Sequence, residues 1–163
     1  MINTEDRAIL RDLAKRVAEV AEKPQMAEKK ALWKKHNRLK PVRPMILIFP
    51  EGSWSELLPA DSLLCSDNRA RQVEMALRQQ LYAHEHFSSD NVVERQWVVS
   101  KVIHSSGWGL TPQRVASREE RGAWAFDPVI RKPADLEKLV FPEITVDERA
   151  TKERLADFQD LFG

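Results

Sequence analysis

Residues 43–59 read RPMILIFPEGSWSELLP, and this stretch holds the only continuous apolar run that is typical of a fully buried strand. Met45 to Phe49 are five apolar residues without alternation, closed by Pro50 and Gly52. A run this short, bounded by residues that break regular structure, favours a strand covered on both faces. The sequence therefore predicts a buried strand over 45–49.

A helix is predicted to begin directly after this strand, because Ser53 and Glu56 have the spacing of a capping box. The turn between strand and helix then places Glu51, Ser53 and Trp54 at the carboxyl end of the strand. Ligands bind at that end in α/β folds. We therefore select Glu51, Ser53 and Trp54 as candidate substrate-binding residues. For Glu51, the alternative is a charge that only complements a helix dipole.

Helical spacing of apolar residues predicts further helices on both sides of this stretch. Two are expected before it, from Thr4 to Pro24 and from Pro24 to about Arg38, since proline suits the first turn of a helix. A long helix is expected after Asp67, which has the residue type of a cap. The last helix is predicted to follow a second capping-box pattern at Thr145 to Glu148.

A β-region is predicted between the long helix and the last one. Residues 92–99 alternate with a period of two, extending toward Ile103, and residues 124–130 form a second short apolar segment. A hairpin between these two segments is one arrangement. Residues 111–122 are predicted to be a polar connection, and a short helix is expected from Pro133.

Composition limits the classes of partner and compartment. The 163 residues carry 26 basic and 25 acidic side chains, so the formal net charge is +1 and no strong field attracts nucleic acid or acidic lipid. No apolar run approaches the ~18 residues that span a bilayer. The single cysteine, Cys65, excludes an internal disulfide framework. We expect a cytoplasmic protein with no membrane partner.

One local exception to this balanced charge is the segment from Lys29 to Arg43. It carries seven basic residues, with Trp33 and His36 between them. Such a segment can hold phosphates and stack a base, but the balanced net charge favours a solvated helix face with Trp33 turned to the core. Nucleic-acid binding through residues 29–43 is therefore kept as the weakest functional alternative.

The tripeptide His84-Glu85-His86 is the one motif that suggests a metal. Residues two apart on a helix do not face each other, whereas a zinc helix places its histidines at i and i+4. His84 also falls on the apolar stripe of the long helix. We therefore predict no metal ligand in this chain.

Three motifs together resemble the amino-terminal region of uroporphyrinogen decarboxylase-like proteins, the superfamily that also contains the corrinoid-dependent methyltransferases. They are residues 32–44 (LWKKHNRLKPVRP), residues 45–54 (MILIFPEGSW) and residues 155–163 (LADFQDLFG). The resemblance runs nearly end to end at the level of pattern. It implies the front of a (β/α)8 barrel, which needs about 250 residues in full.

The predicted elements together indicate an α/β or α+β chain with amino-terminal helices, one buried strand, a small β-region and further helices, and the resemblance makes this the incomplete front part of a (β/α)8 barrel. We treat residues 1–163 as a single unit with four segments: a helical lead-in (1–40), the first strand and long helix (41–90), a β-rich insertion (91–131) and a helical tail (132–163).

Functional expectations follow from where the chain departs from the family. The decarboxylases carry an arginine-rich segment after the first strand, and residues 50–54 have no arginine there. This favours the methyl-transfer branch, or an uncharacterised one, over porphyrinogen decarboxylation. The family's catalytic and zinc-binding segments come later than Gly163, so the chain is expected to be inactive alone, with its catalytic residues unknown.

The resemblance also sets the expected cofactors and partners. A corrinoid protein or zinc is implied only for a complete enzyme, and none is assigned to this chain. The implied partners are the remainder of the barrel or a corrinoid protein, with a homo-oligomer left open. The alternative from another functional class is a stand-alone protein-interaction module.

Overall fold

The computed structural model describes residues 2–118 and 122–163. Helices hold 52% and strands 9% of the residues, which confirms the prediction of a mixed helix-and-sheet fold. The chain divides into two compact units, whereas the sequence analysis treats it as one. The first, here called the helical unit, contains the residues up to Val98 together with 157–163, and the second, the β unit, contains 99–156.

Over residues 2–98 and 157–163, the helical unit contains four complete α-helices and the end of a fifth. Their bounds are Thr4–Ala21 (α1), Pro24–Asn37 (α2), Trp54–Leu57 (α3), Asn68–His86 (α4) and Glu148–Phe162 (α5), with single 3-10 turns at Glu51–Ser53 and Ala60–Ser62. The four long helices confirm the helical spacing read from the sequence. Asn3 caps α1 and Asp67 caps α4, since each side chain accepts hydrogen bonds from first-turn N–H groups.

The core of the helical unit lies between α1 and α4. Each helix contributes a stripe at a spacing of three or four residues, because this spacing places side chains on one face. Residues from the surrounding segments complete the core, whose buried apolar members are Leu10, Leu13, Val17, Val20, Met26, Cys65, Ala70, Val73, Leu77, Leu81, Val93 and Leu161.

The predicted buried strand over Met45–Phe49 is wrong. The segment belongs to no strand, and Ile46 and Phe49 are 54% and 69% exposed. None of the strands in the described residues lies within or pairs with this segment, so no sheet covers it. An apolar run favours burial, but burial itself requires another surface that covers the run.

Within residues 99–118 and 122–156, the β unit contains two separate antiparallel ribbons. Val102–Ser105 (β1) pairs with Ile144–Asp147 (β4), and Gln113–Val115 (β2) pairs with Ala125–Asp127 (β3). A six-residue 3-10 helix, Pro133–Lys138, matches the short helix predicted from Pro133. Because both sheets of the described residues are two-stranded, the barrel part of the fold prediction stays a proposal.

Several β-predictions are wrong in their bounds or pairing. Residues 92–99 form no strand: Val93 is buried in the helical core and Trp97 packs on Phe158 and Phe162, so helix contacts explain the apolar positions. The segment 124–130 does contain β3, but β3 pairs with β2, inside the predicted polar connection 111–122. Residues 119–121 of that connection lie outside the described part.

The cap of α5 also differs from its prediction. Asp147 Oδ1 accepts a hydrogen bond from the N–H of Ala150 at 2.8 Å, so Asp147 caps the helix in place of the Thr145 to Glu148 box. Thr145 instead lies within β4, paired with His104. In the part of the chain that the structure describes, no helix is long and apolar enough to cross a membrane.

Candidate functional site

The exposed segment 43–49 is held in place by two polar residues that follow α4. The backbone N–H of Ile46 donates to Asp90 Oδ2 at 2.8 Å, and the N–H of Asp90 donates to the carbonyl of Ile46 at 2.7 Å. Asn91 makes a similar pair with Ile48, accepting from its N–H and donating to its carbonyl, each at 3.4 Å. Asp90 and Asn91 therefore hold the segment along one edge through hydrogen bonds.

Asp90 makes further contacts that hold this segment in place. Its side chain is nearly buried and forms a bidentate ion pair with Arg43, with Arg43 Nη1 2.8 Å from Oδ2. Its carbonyl accepts from the indole N–H of Trp33 at 2.8 Å, which links α2 to the same point. Bidentate arginine–carboxylate pairs fix geometry as well as adding energy. Asp90 therefore sets the position of residues 43–46 against α2 and α4.

The charge state of Asp90 follows from these contacts. The Arg43 guanidinium, and then the N–H of Ile46, hold the pKa of the Asp90 carboxyl well below its usual range, outweighing the effect of burial. The same pair raises the pKa of Arg43. The carboxylate is thus ionised at any physiological pH. Its contacts with Arg43 and Ile46 therefore do not change with pH near neutrality.

We expect the stabilisation from Asp90 to disappear in acid. Because the folded-state pKa lies below the unfolded-state value of about 3.9, the contribution is complete above that value and is lost as the pH falls through the folded-state pKa. Asp90→Asn should therefore lower the urea midpoint at neutral pH, and this difference should shrink steadily below pH about 4. Urea titrations of both proteins at several pH values measure it. A difference that stays constant into acid would contradict the ion-pair role.

The three candidate substrate-binding residues do not converge. Glu51 and Ser53 are exposed, and Trp54 is half-buried. Ser53 makes no capping hydrogen bond, so the predicted capping box is wrong; Ser53 lies inside a 3-10 turn with helical dihedrals, whereas a cap needs an extended backbone. Glu51 has a φ of 48°, an uncommon conformation for a residue other than glycine. Their proposed role at a site mouth therefore stays a prediction.

Trp54 packs into an aromatic cluster that sequence reasoning missed. Its ring lies 5.9 Å from that of Tyr82 and 6.2 Å from that of Phe87, and Tyr82 also contacts His86 at 4.2 Å. The cluster attaches α3 to the end of α4. The i, i+4 spacing of Tyr82 and His86 at the end of α4, with Phe87 directly after the helix, is the signal that could have indicated it.

The basic segment 29–43 uses several of its charges internally. Lys30 forms an ion pair with Glu94 at 2.9 Å, Lys29 donates to the carbonyl of Asn91 at 3.3 Å, and Arg43 pairs with Asp90. The Trp33 indole N–H is also engaged, donating to the Asp90 carbonyl, and the Trp33 ring makes an edge contact with His36. These contacts weaken the case for a phosphate-binding patch.

The two histidines of the His84-Glu85-His86 motif have different surroundings. His84 Nε2 lies 3.0 Å from Lys23 Nζ, while the His86 ring lies tilted against the Tyr82 ring, with the two centroids 4.2 Å apart. Burial, and then Lys23 and Lys29, lower the pKa of His84. Across residues 2–118 and 122–163, no group of three or more His, Cys, Asp or Glu side chains is arranged to hold a metal ion.

Two buried carboxylates form a further polar cluster, around the loop that precedes α4. Glu74 accepts from the N–H groups of Leu64 and Cys65, at 2.9 Å and 2.8 Å, and from Arg78 Nε at 2.7 Å. Asp6 accepts from the N–H groups of Ser66 and Asp67, at 2.9 Å and 3.0 Å. The two carboxylates replace the missing backbone partners of residues 64–67, which gives them a structural role.

Cys65 lies inside this cluster, and its thiol is not in the reactive thiolate form. Burial, and then the neighbouring Glu74 carboxylate, raise the pKa of its thiol to about 12. The nucleophilic and metal-binding form of cysteine is the thiolate. Cys65 therefore acts as a small buried side chain of the core.

An open groove of about 600 Å³ lies in the helical unit, between α1, residues 94–97 and the end of α5. Its floor carries the rings of Trp97, Phe158 and Phe162. At its edge, Arg11 donates to the carbonyls of Asp160 and Leu161, at 2.8 Å and 3.0 Å, and so caps the end of α5. The groove contains no cluster of catalytic groups among the described residues, and its polar residues stabilise the helix end.

Exposed apolar side chains are the most distinctive surface feature. In the helical unit the group includes Leu39, Ile46, Leu47, Phe49 and Leu64. In the β unit it includes both ribbons and the segments beside them, namely Ile103, Trp108, Val115, Trp124, Phe126, Ile130, Leu136, Leu139, Val140, Phe141, Ile144, Val146 and Leu155. Scattered exposed apolar residues are normal, but contiguous ones mark surfaces that contact another molecule.

A scan of protein-family models and searches of curated proteins and of solved structures found no match to this chain.

Proposed function

We propose that this chain is the amino-terminal portion of a uroporphyrinogen decarboxylase-like enzyme, related to corrinoid-dependent methyl transfer rather than to porphyrinogen decarboxylation. Its task in that enzyme is structural association with the remainder of the barrel, and it is inactive alone. The observation that carries the proposal is the exposed apolar segment Met45–Phe49, together with the motifs around it.

The composition of this segment supports association. Strands of a parallel barrel are covered on both faces and are therefore continuously apolar. Met45–Phe49 has that composition, yet Ile46, Leu47 and Phe49 are exposed here. Burying such side chains contributes roughly 25 cal/mol per Å² of apolar surface. Covering this segment would therefore add stability, and Asp90 and Asn91 already hold it in place.

The β unit supports the same proposal. Two-stranded ribbons are marginally stable in water unless an apolar face packs against another layer. Ile103 and Val146 lie directly opposite each other in the β1–β4 register, and both are exposed. On the β2–β3 ribbon, Arg114 covers the ring of Trp124 at 3.7 Å, which shields only part of that face. Both ribbons are suited to a covering layer.

The site residues and cofactors keep the status of proposals. Glu51, Ser53 and Trp54 are proposed to line the mouth of the complete site. The described residues offer no ligand set for zinc, so no chemical step through a metal is assigned to this chain. A corrinoid protein is proposed as a partner of the complete enzyme only.

A stand-alone interaction module is the alternative, and one observation favours it. The helical unit has its own core, and every buried side-chain nitrogen or oxygen of the described residues has a hydrogen-bond partner. A unit with these properties is able to fold by itself. The two candidates differ in what they predict for the isolated chain.

Sedimentation and dye binding separate the two candidates. For the proposed function, we expect the purified chain to enhance the fluorescence of anilinonaphthalene sulfonate and to associate progressively as its concentration rises, because apolar surface is exposed. Phe49→Ser should reduce both effects, while Leu39→Ser, at another exposed apolar side chain, is the matched control. A stable monomer or a single defined dimer without dye binding would contradict the proposal and favour the module.

The family assignment has its own test. Sequencing the natural transcript beyond the codon for Gly163 is expected to reveal a continuing frame, or an adjacent one, with the strand–helix repeats of a (β/α)8 barrel. A transcript without such repeats would overturn the assignment to this superfamily. The association measured on the purified chain would then have to be explained by another partner.

A further inference from the structure

The segment Met45–Phe49 has two backbone edges, and only one of them is used. In an extended chain the N–H and C=O groups of successive residues point to opposite sides. The even-numbered residues, Ile46 and Ile48, direct these groups to Asp90 and Asn91, with four hydrogen bonds between 2.7 Å and 3.4 Å. This side, which we call the closed edge, is fully occupied by the two residues that follow α4.

The odd-numbered residues form an open edge. Among residues 2–118 and 122–163, the backbone N–H and C=O groups of Met45, Leu47 and Phe49 have no hydrogen-bond partner. Residues two apart in a strand repeat every 6.6 to 6.8 Å, roughly, which is the spacing at which a neighbouring strand presents its own groups. Pro44 and Pro50 flank the segment at its two ends, and neither offers an N–H donor.

We propose that this open edge binds one apolar β-strand of another polypeptide, by hydrogen bonds to Met45, Leu47 and Phe49. The inference rests on the proposed function, in which the remainder of the enzyme supplies that strand; Asp90 and Asn91 occupy the other edge, where a closed barrel would place a second strand. It specifies which edge of the segment, and which residues, make the association.

The chemistry of the edge selects a strand over other partners. Unpaired backbone donors and acceptors that recur every second residue are satisfied by an extended chain, whereas a helix has already paired its own groups. Residues 44–50 carry no charge, and Arg43 is neutralised by Asp90, so a charged partner gains nothing there. Exposed side chains on both faces, such as Ile46 and Phe49, require a partner strand that is apolar.

The hydrogen bonds made by Asp90 and Asn91 prepare the open edge for pairing with a strand. Natural edge strands are usually protected by charges, bulges or covering segments. Here Asp90 and Asn91 hold Ile46 and Ile48 by hydrogen bonds, while residues 45–49 carry no charge and no other described segment pairs with the backbone of Met45, Leu47 or Phe49. Because the segment is ordered before binding, a partner strand avoids much of the entropy cost of straightening it.

Hydrogen exchange of single amides, measured by nuclear magnetic resonance on the full chain, tests this inference. In the free protein we expect slow exchange at Ile46 and Ile48 and fast exchange at Met45, Leu47 and Phe49. The probe is a synthetic peptide with the sequence of residues 43–52, which supplies an apolar strand. On binding, exchange at Leu47 and Phe49 should slow by at least about tenfold, because both amides acquire a backbone acceptor.

A modified peptide provides the control without altering the protein. The same peptide, N-methylated at alternate residues, keeps its side chains but cannot pair through those positions. Its affinity should fall by about fivefold or more for each hydrogen bond lost. As a second variant, Leu47→Pro removes the central donor, and retained slow exchange at Ile46 would show that the closed edge is intact.

The possible outcomes distinguish this inference from the proposed function. Unchanged exchange at Leu47 and Phe49 with bound peptide, or equal affinity for the methylated peptide, would overturn the open-edge inference. If the chain still associates and binds dye, another apolar surface carries the association and the proposed function stands. If the chain neither associates nor binds the peptide, both are overturned.

Discussion

Replacing Glu74 by alanine is expected to lower the free energy of unfolding of the helical unit by about 3 kcal/mol. The Glu74 side chain is fully buried, and its carboxylate serves the N–H groups of Leu64 and Cys65 and the guanidinium of Arg78. Removing it leaves two backbone donors and a partly buried charge without their acceptor. Such losses are costly because the donors cannot recover water in the folded state.

The charge state of Glu74 is consistent with this role. Burial acts to raise its pKa, but the N–H donors of Leu64 and Cys65, together with Arg78, outweigh burial and hold the pKa below its ordinary value. Urea unfolding followed by circular dichroism measures the loss. Glu85→Ala, on the same helix but exposed, is the matched control and should change little. Equal losses in the two variants would show that the buried carboxylate is not a structural acceptor.

Leu10→Ala is expected to destabilise the same unit by about 3 kcal/mol, through a different mechanism. Leu10 is 0% exposed and lies in the core between α1 and α4. Truncation removes its transfer free energy and leaves a cavity, because close-packed helices relax only in part.

The control for Leu10 is Leu39→Ala, a chemically identical change at a side chain that is 94% exposed. It should alter stability by no more than about 0.5 kcal/mol. Thermal unfolding of the three proteins, at one concentration, provides the comparison. If Leu10→Ala were as mild as Leu39→Ala, the α1–α4 packing would not be the main source of stability.

These two variants also separate folding from function. Glu74 and Leu10 are buried in the core of the helical unit, where the buried polar side-chain atoms of the described residues have hydrogen-bond partners. Residues 45–49 lie outside this core. Variants of the core should lower stability, and dye binding should then rise as the unit unfolds. Variants of the segment 45–49 should instead change association while the unfolding transition stays in place.

The helices were predictable because their signals are local. The apolar spacing of α1 and α4, Pro24 at the start of α2 and Asp67 at the cap of α4 all act within one or two turns. The candidate site was less predictable. Glu51, Ser53 and Trp54 were selected from an expected strand-to-helix turn, and the cap that this turn required is not formed at Ser53.

The sequence alone determined the four long helices, the α1–α4 core stripe and the mixed fold class, because side-chain periodicity and capping operate over short distances. Only the tertiary structure decided which strands pair, that Asp6 and Glu74 hold residues 64–67, and that Asp90 and Asn91 fasten residues 46–48. These contacts join residues far apart in sequence or bury a carboxylate, and no local pattern specifies them. The segment Met45–Phe49 shows the physical reason: its composition sets an affinity for burial, but the layers around it decide whether burial occurs.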